Sequence, residues 1–90
     1  MYIDEEHARL NIRLAREKRE SQPEVIRDVL KKSRGGWVCG SYFYAEYMPT
    51  YSQRIGELIV QGYEIEREPC KNPDHKHRGS IRQYRIKRVR

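Results

Sequence analysis

The sequence predicts an α+β fold, with helices first and a two-stranded β-hairpin after them. Three observations carry this expectation. Apolar residues recur at spacings of three and four over 25–30 and again over 55–62, the period of helices. From Tyr63 onward the pattern changes to strict alternation, the period of a half-buried strand. Helix starts and stops punctuate the chain at Ser21-Gln22-Pro23-Glu24, Gly35-Gly36, Pro49-Thr50 and Gly62. With 90 residues, the chain has room for one small domain and a modest core. It divides into a charged N-terminal helical extension, residues 1–20, and a domain over 21–90.

The extension reads as a helix over 4–20. Asp4 can cap it, and Glu5 and Glu6 suit the positive end of its dipole. Arg16, Lys18 and Arg19 suit the other end. Its apolar stripe, Ile3, His7, Leu10 and Leu14, is too thin to stabilise an isolated helix. The helix therefore docks on the domain, frays, or pairs with a second copy of the chain.

Ser21 and Glu24 have the spacing of a capping box, with Pro23 at an early helical position. Val25, Ile26, Val29 and Leu30 form a broad apolar face, and Gly35-Gly36 ends the helix. Trp37-Val38-Cys39 is a short strand. Ser41 can cap a short helix over Tyr42–Tyr47, ended by Met48-Pro49. Thr50 then caps a helix running to Gln61, with Gly62 as its left-handed terminal residue. Ile55, Leu58, Ile59 and Gly62 share its inner face, while Thr50, Gln53, Glu57 and Gln61 point away and Arg54 sits on the flank. Two helices joined by so short a turn have the layout of a helix-turn-helix. In the hairpin, Tyr63, Ile65, Tyr84 and Ile86 face in, and Gln83, Arg85 and Lys87 face out. Pairing sets Glu66 opposite Arg85 and Glu64 opposite Lys87. The connecting loop, Pro69–Ser80, is basic and far longer than a usual hairpin turn of about two to five residues.

Charge is unevenly distributed. The formal net charge is +6, yet residues 71–90 hold eight Lys and Arg against Asp74 alone. The last twenty residues thus carry the whole positive excess, as attraction to phosphates requires. No apolar run is long enough to span a bilayer, and the acidic start is unlike a signal peptide, so a cytoplasmic protein is expected.

The cysteines, Cys39 and Cys70, are too few for a disulfide scaffold and read first as free thiols. Zinc is the alternative, since Cys70, His75 and His77 lie close in sequence with Cys39 as the fourth ligand. The Cys-x4-His-x-His spacing, however, matches no paired zinc-ligand motif, so the expectation is no metal and no cofactor. The aromatics Trp37, Tyr42, Phe43, Tyr44, Tyr47, Tyr51 and Tyr63 read as core filling rather than base-stacking platforms. Tyr44 is the exception, because a six-residue helix cannot bury four rings. No phosphate cradle, nucleophile elbow or His-Glu-x-x-His motif occurs, so an enzyme is not expected.

The order helix, short strand, helix, turn, helix and hairpin resembles the winged helix-turn-helix fold, a three-helix core with a two-stranded wing. More narrowly, residues 24–88 resemble small winged-helix domains frequent in bacteriophage genomes. The resemblance rests on Gly36-Trp37-Val38-Cys39-Gly40, Tyr51-Ser52-Gln53-Arg54-Ile55-Gly56-Glu57-Leu58, Gly62-Tyr63-Glu64-Ile65-Glu66 and His77-Arg78-Gly79 with Tyr84-Arg85-Ile86. It implies binding of double-stranded DNA, as a transcriptional regulator or architectural factor, with Thr50–Gln61 in the major groove and Pro69–Ser80 along the backbone. Thr50, Ser52, Gln53, Arg54 and Glu57 become candidate groove contacts. Arg54 suits guanine and Gln53 suits adenine. Lys71, Lys76, His77 and Arg78 become phosphate contacts. The helix holds one cation, Arg54, and Glu57 stands within reach of it at i, i+3. Two other readings remain: a module that docks on a host transcription or replication protein through Tyr44, Tyr47 and the 1–20 helix, and a DNA-binding subunit of a packaging, excision or recombination complex, with a homodimer formed through that helix.

Overall fold

A computed structural model describes residues 1–18, 21–75 and 81–88, with the side chain of Arg88 excepted. Among the described residues, four helices and a three-stranded antiparallel sheet make a small α+β domain. In chain order they are α1 (Glu5–Lys18), α2 (Gln22–Lys32), β1 (Val38–Cys39), α3 (Gly40–Ala45), α4 (Tyr51–Val60), β2 (Glu64–Pro69) and β3 (Arg82–Arg88).

Asp4 caps α1, its carboxylate accepting from the His7 amide at 3.3 Å. The buried face of α1, however, is not the stripe that side-chain hydrophobicity picks out. Ala8, Ile12 and Ala15 are buried together with Asn11, whereas Leu10 is 51% exposed and His7 and Leu14 also face outward. Ile12 at i+4, flanked by the small Ala8 and Ala15 at i and i+7, makes the surface that lies on α2 and α3. The segment read as an extension therefore shares one core with Val25, Ile26, Val29 and Leu30 of α2. Its start is held too: the Ile3 amide donates to the Trp37 carbonyl at 2.9 Å, and the Trp37 amide donates to the Met1 carbonyl at 2.8 Å. Arg19, expected at the end of this helix, lies outside the described residues.

A second stripe on α1, Arg9, Arg13 and Arg16, converges on Glu46, which is only 4% exposed just past α3. Arg9 Nε donates to its carboxylate at 2.6 Å, and Arg13 donates twice at 3.0 Å. Arg16 Nη1 reaches the Glu46 carbonyl at 2.8 Å. The hydrogen bonds from Arg13, then those from Arg9, hold the Glu46 carboxyl below its ordinary range.

The capping box of α2 forms as its sequence implies, with the Glu24 amide donating to Ser21 Oγ and Ser21 Oγ donating to the Glu24 carboxylate. Helix α3 starts earlier than Tyr42 and stops earlier than Tyr47. Cys39, extended in backbone, is its N-cap, and Tyr47 has a φ of 65°, which no right-handed helix accommodates. Ser41, expected as the cap, lies inside the helix with its hydroxyl 3.1 Å from Cys39 Sγ. Thr50 occupies the N-cap position of α4 but makes no side-chain cap; its hydroxyl donates to Gln22 at 3.2 Å.

At the start of α3, a Cβ on Gly40 would sit 2.7 Å from the Tyr51 ring. That ring is wedged between Phe43 and Tyr84, so it has nowhere to swing. Gly40→Ala is expected to cost about 1–3 kcal/mol through overpacking, measured by denaturant melts.

The sheet order is β1-β3-β2. Glu66 lies opposite Arg85 as the charge pattern predicts, and the two side chains pair. Glu64 lies opposite Arg88 rather than Lys87, because the register shifts between Glu64 and Ile65. Gln83 does not face solvent as alternation predicts. It is buried, because β3 is the central strand and Cys39 of β1 lies beside it. Its amide donates to Glu68 at 2.8 Å and accepts from the Lys71 amide at 3.2 Å.

Candidate functional site

Helix α4 packs its Ile55 and Leu58 face into the core, against α2, α3 and β2. The opposite face is open: Thr50, Ser52, Gln53 and Glu57 are exposed. Helix α1 packs on α2 and α3 and leaves these side chains in solvent. Arg54 is half-buried and donates to Glu57 at 2.6 Å, so the helix's cation is engaged one turn along its own surface. Val60, not singled out by sequence, ends this face at 88% exposed.

The loop candidates divide. Lys71 is exposed, with its ammonium 3.5 Å from the Glu68 carboxylate. Lys76, His77 and Arg78 lie outside the described residues. So does the expected arrangement of the hairpin tip beside α4. Of the other cations near the C-terminus, Arg82 and Lys87 are exposed, while Arg85 pairs with Glu66 and lies 4.5 Å from the Trp37 ring centre.

The aromatics divide as well. Tyr42, Phe43 and Tyr51 are buried, and Trp37 and Tyr63 are half-buried. Tyr44 is 66% and Tyr47 82% exposed, which makes Tyr47 a second exception beside Tyr44. Both lie where α3 ends, and a short helix has only one inner face to offer.

A second cluster forms at the base of the loop. Cys39 at the end of β1, Cys70 just past β2 and His75 bring their ligand atoms within 4.8 Å of one another. Neither cysteine is in a disulfide. Burial pushes the Cys39 thiol up, with Ser41 acting in the opposite sense. His75 is turned by Tyr42, whose hydroxyl lies 3.0 Å from Nε2, and Cys70 Sγ lies 3.4 Å from Nδ1. The Tyr42 hydroxyl also donates to the Ile3 carbonyl at 3.3 Å, and burial pushes its pKa well up, keeping that proton in place. A Tyr42 hydroxyl that donates to Ile3 can accept from Nε2–H, and in that tautomer Nδ1 turns its lone pair toward Cys70. Sequence spacing brought Cys70 and His75 together, but the part of Tyr42 as orienter has no sequence signal.

The chain matches no protein-family model, no curated protein and no solved structure.

Proposed function

We propose that this chain is a DNA-binding protein of the winged helix-turn-helix type, a small regulator or architectural factor, with α4 entering the major groove and the 69–80 loop acting as the wing. The observation that carries this reading is the uncovered polar face of α4, where Ser52, Gln53 and Glu57 stand in solvent on a helix fixed by its buried side. A rigid helix whose polar side chains face solvent is what base-edge readout needs. The order α2-β1-α3-α4-β2-β3 with sheet order β1-β3-β2 supports the winged form. The positive balance of residues 71–90 supports the choice of partner. Among the described residues, no helix is long and apolar enough to cross a membrane.

Binding to duplex at low salt is expected to weaken with a log–log slope of about −0.9 per phosphate neutralised, read in shift or anisotropy titrations. Charge reversal at Lys71, Lys76 and Arg78 should weaken every duplex alike. Replacing Gln53 or Arg54 should change which sequences are preferred, by about 1–3 kcal/mol per lost bidentate contact. Glu57→Ala releases Arg54 and removes a like charge to phosphate, so it should tighten binding. Absence of any complex at low salt would sink this reading.

The exposure of Tyr44 and Tyr47 favours a second reading, a module that docks on a protein partner through the end of α3. Capture of a defined partner that survives nuclease treatment and is lost in Tyr44→Ala would support it.

A further inference from the structure

We infer that Cys39, Cys70 and His75 form a zinc site that fastens the base of the long loop to the β1–α3 junction. The site goes beyond the DNA-binding reading and stands whether or not the loop touches DNA.

Three features point to it. The first is the donor set. Two thiolates and an imidazole suit zinc among the common cellular metals, and they neutralise its charge. The second is spacing. Tetrahedral zinc, at about 2.3 Å from sulfur and about 2.0 Å from nitrogen, holds its ligand atoms roughly 3.5–3.8 Å apart. Cys70 Sγ and His75 Nδ1 already lie 3.4 Å apart, and all three donor atoms fall within 4.8 Å of one another. A contraction of about an ångström or less completes the fit, and it falls on side chains at the end of a strand and in a loop.

The third feature is the orientation of the imidazole. A metal-bound histidine almost always donates its second N–H to a fixed acceptor. Here Tyr42 can be that acceptor while its own proton goes to the Ile3 carbonyl. The ring is held with Nδ1 3.4 Å from Cys70 Sγ, an orientation that serves the tautomer a metal takes.

On binding, the Cys39 and Cys70 thiols release their protons to solvent and His75 contributes its Nδ1 lone pair. A cleft lined by Asp4, Glu5, Tyr42, Asn72, Asp74 and His75 opens beside the histidine, and its three carboxylates favour the approach of a cation, with a water as the fourth ligand. His77 lies outside the described residues. Mechanically, the metal crosslinks residues 39, 70 and 75 and so ties the start of the loop to the end of β1.

The test uses the full chain, reduced without a metal-binding thiol and titrated with Co²⁺ in place of zinc. One equivalent should produce the thiolate-to-cobalt charge-transfer band and the visible bands of a tetrahedral centre, and Zn²⁺ should displace it. Cys70→Ser and His75→Ala, both at half-buried positions and chosen to spare the buried Cys39, should lose the charge-transfer band at one equivalent. Tyr42→Phe keeps the ring and removes the acceptor, so metal affinity should drop by about 10- to 100-fold. Zinc should raise the melting temperature of the parent and leave that of His75→Ala unchanged. The inference is overturned if the reduced parent gives no band, if the variants bind as tightly as the parent, or if the cysteines are found joined in a disulfide. None of these readouts involves DNA, so failure here and failure of DNA binding are distinguishable.

Discussion

Phe43→Ala is expected to cost about 3–5 kcal/mol, the range for emptying a fully buried ring site. Phe43 has no exposed surface, stacks on Tyr51 with ring centres 5.8 Å apart, and sits where α3, α4 and β3 meet. Its carbonyl also accepts from the Met48 amide at 3.0 Å, within the turn that launches α4. Little nearby can collapse into the space. Tyr51 is held by Tyr84 on its other side, and Ile55 and Leu58 are fixed by the helix they belong to. Domains of this size are stable by roughly 5–15 kcal/mol in total, so the variant should retain only a fraction of its stability. The melting temperature should fall by on the order of 20 °C, at about 4–8 °C for each kcal/mol. A loss below about 1 kcal/mol would mean that α3 is not packed in this way.

Removing the Glu46 side chain should produce the next largest loss. In Glu46→Ala the Arg9 and Arg13 guanidinium groups keep their places beside one another with no carboxylate between them. Hydrogen bonds to charged groups contribute about 1.5–3 kcal/mol each when buried. The exposure of Arg13 brings the expected total down to about 2 kcal/mol at neutral pH.

The same contact has a pH signature. Folding makes the Glu46 carboxyl more acidic than its ordinary value of 4.5, chiefly through Arg13. The unfolded chain therefore binds the proton more readily than the folded one. The stabilisation is whole above pH 4.5 and is lost as pH falls through the lowered folded-state value. Denaturant melts run downward from pH 6 should show the parent losing stability more steeply than Glu46→Gln below that point. Parallel curves for the two proteins would show that the clamp does not hold α1 in solution.

Helices with strong local signals were legible before folding was considered. Helix α2 carries its own cap at Ser21 and its apolar face at Val25, Ile26, Val29 and Leu30, both local properties, and it ends at Lys32, two residues ahead of the left-handed pair Arg34 and Gly35. The end of helix α4 at the left-handed Gly62 was legible for the same reason, whereas Thr50 stands at the N-cap position without capping it. The pairing of Glu66 with Arg85 followed from alternation and charge along two strands. The open face of α4, carrying Thr50, Gln53, Glu57 and Gln61, was likewise written in its periodicity.

Where local signals were weak or competing, packing decided. Hydrophobicity chose Leu10 and Leu14 as the inner face of α1, but a close helix contact rewards small side chains, and the arginines gained a buried carboxylate by turning toward α3. Gln83 obeyed alternation in direction and still became buried, because the strand on its far edge comes from residues 38–39. The gathering of Cys39 with Cys70 and His75 depends on the same long-range pairing of β1 with β3.

The sequence alone determined what each short segment prefers to be: which stretches are helical, which alternate, and where positive charge accumulates. Those properties arise from neighbours within a turn or two of the chain. Only the tertiary structure decided which face of α1 is inside, that Glu46 holds three arginines, and that residues 39, 70 and 75 meet. Each of these needs partners dozens of residues apart, and such contacts exist only once the core has closed around them.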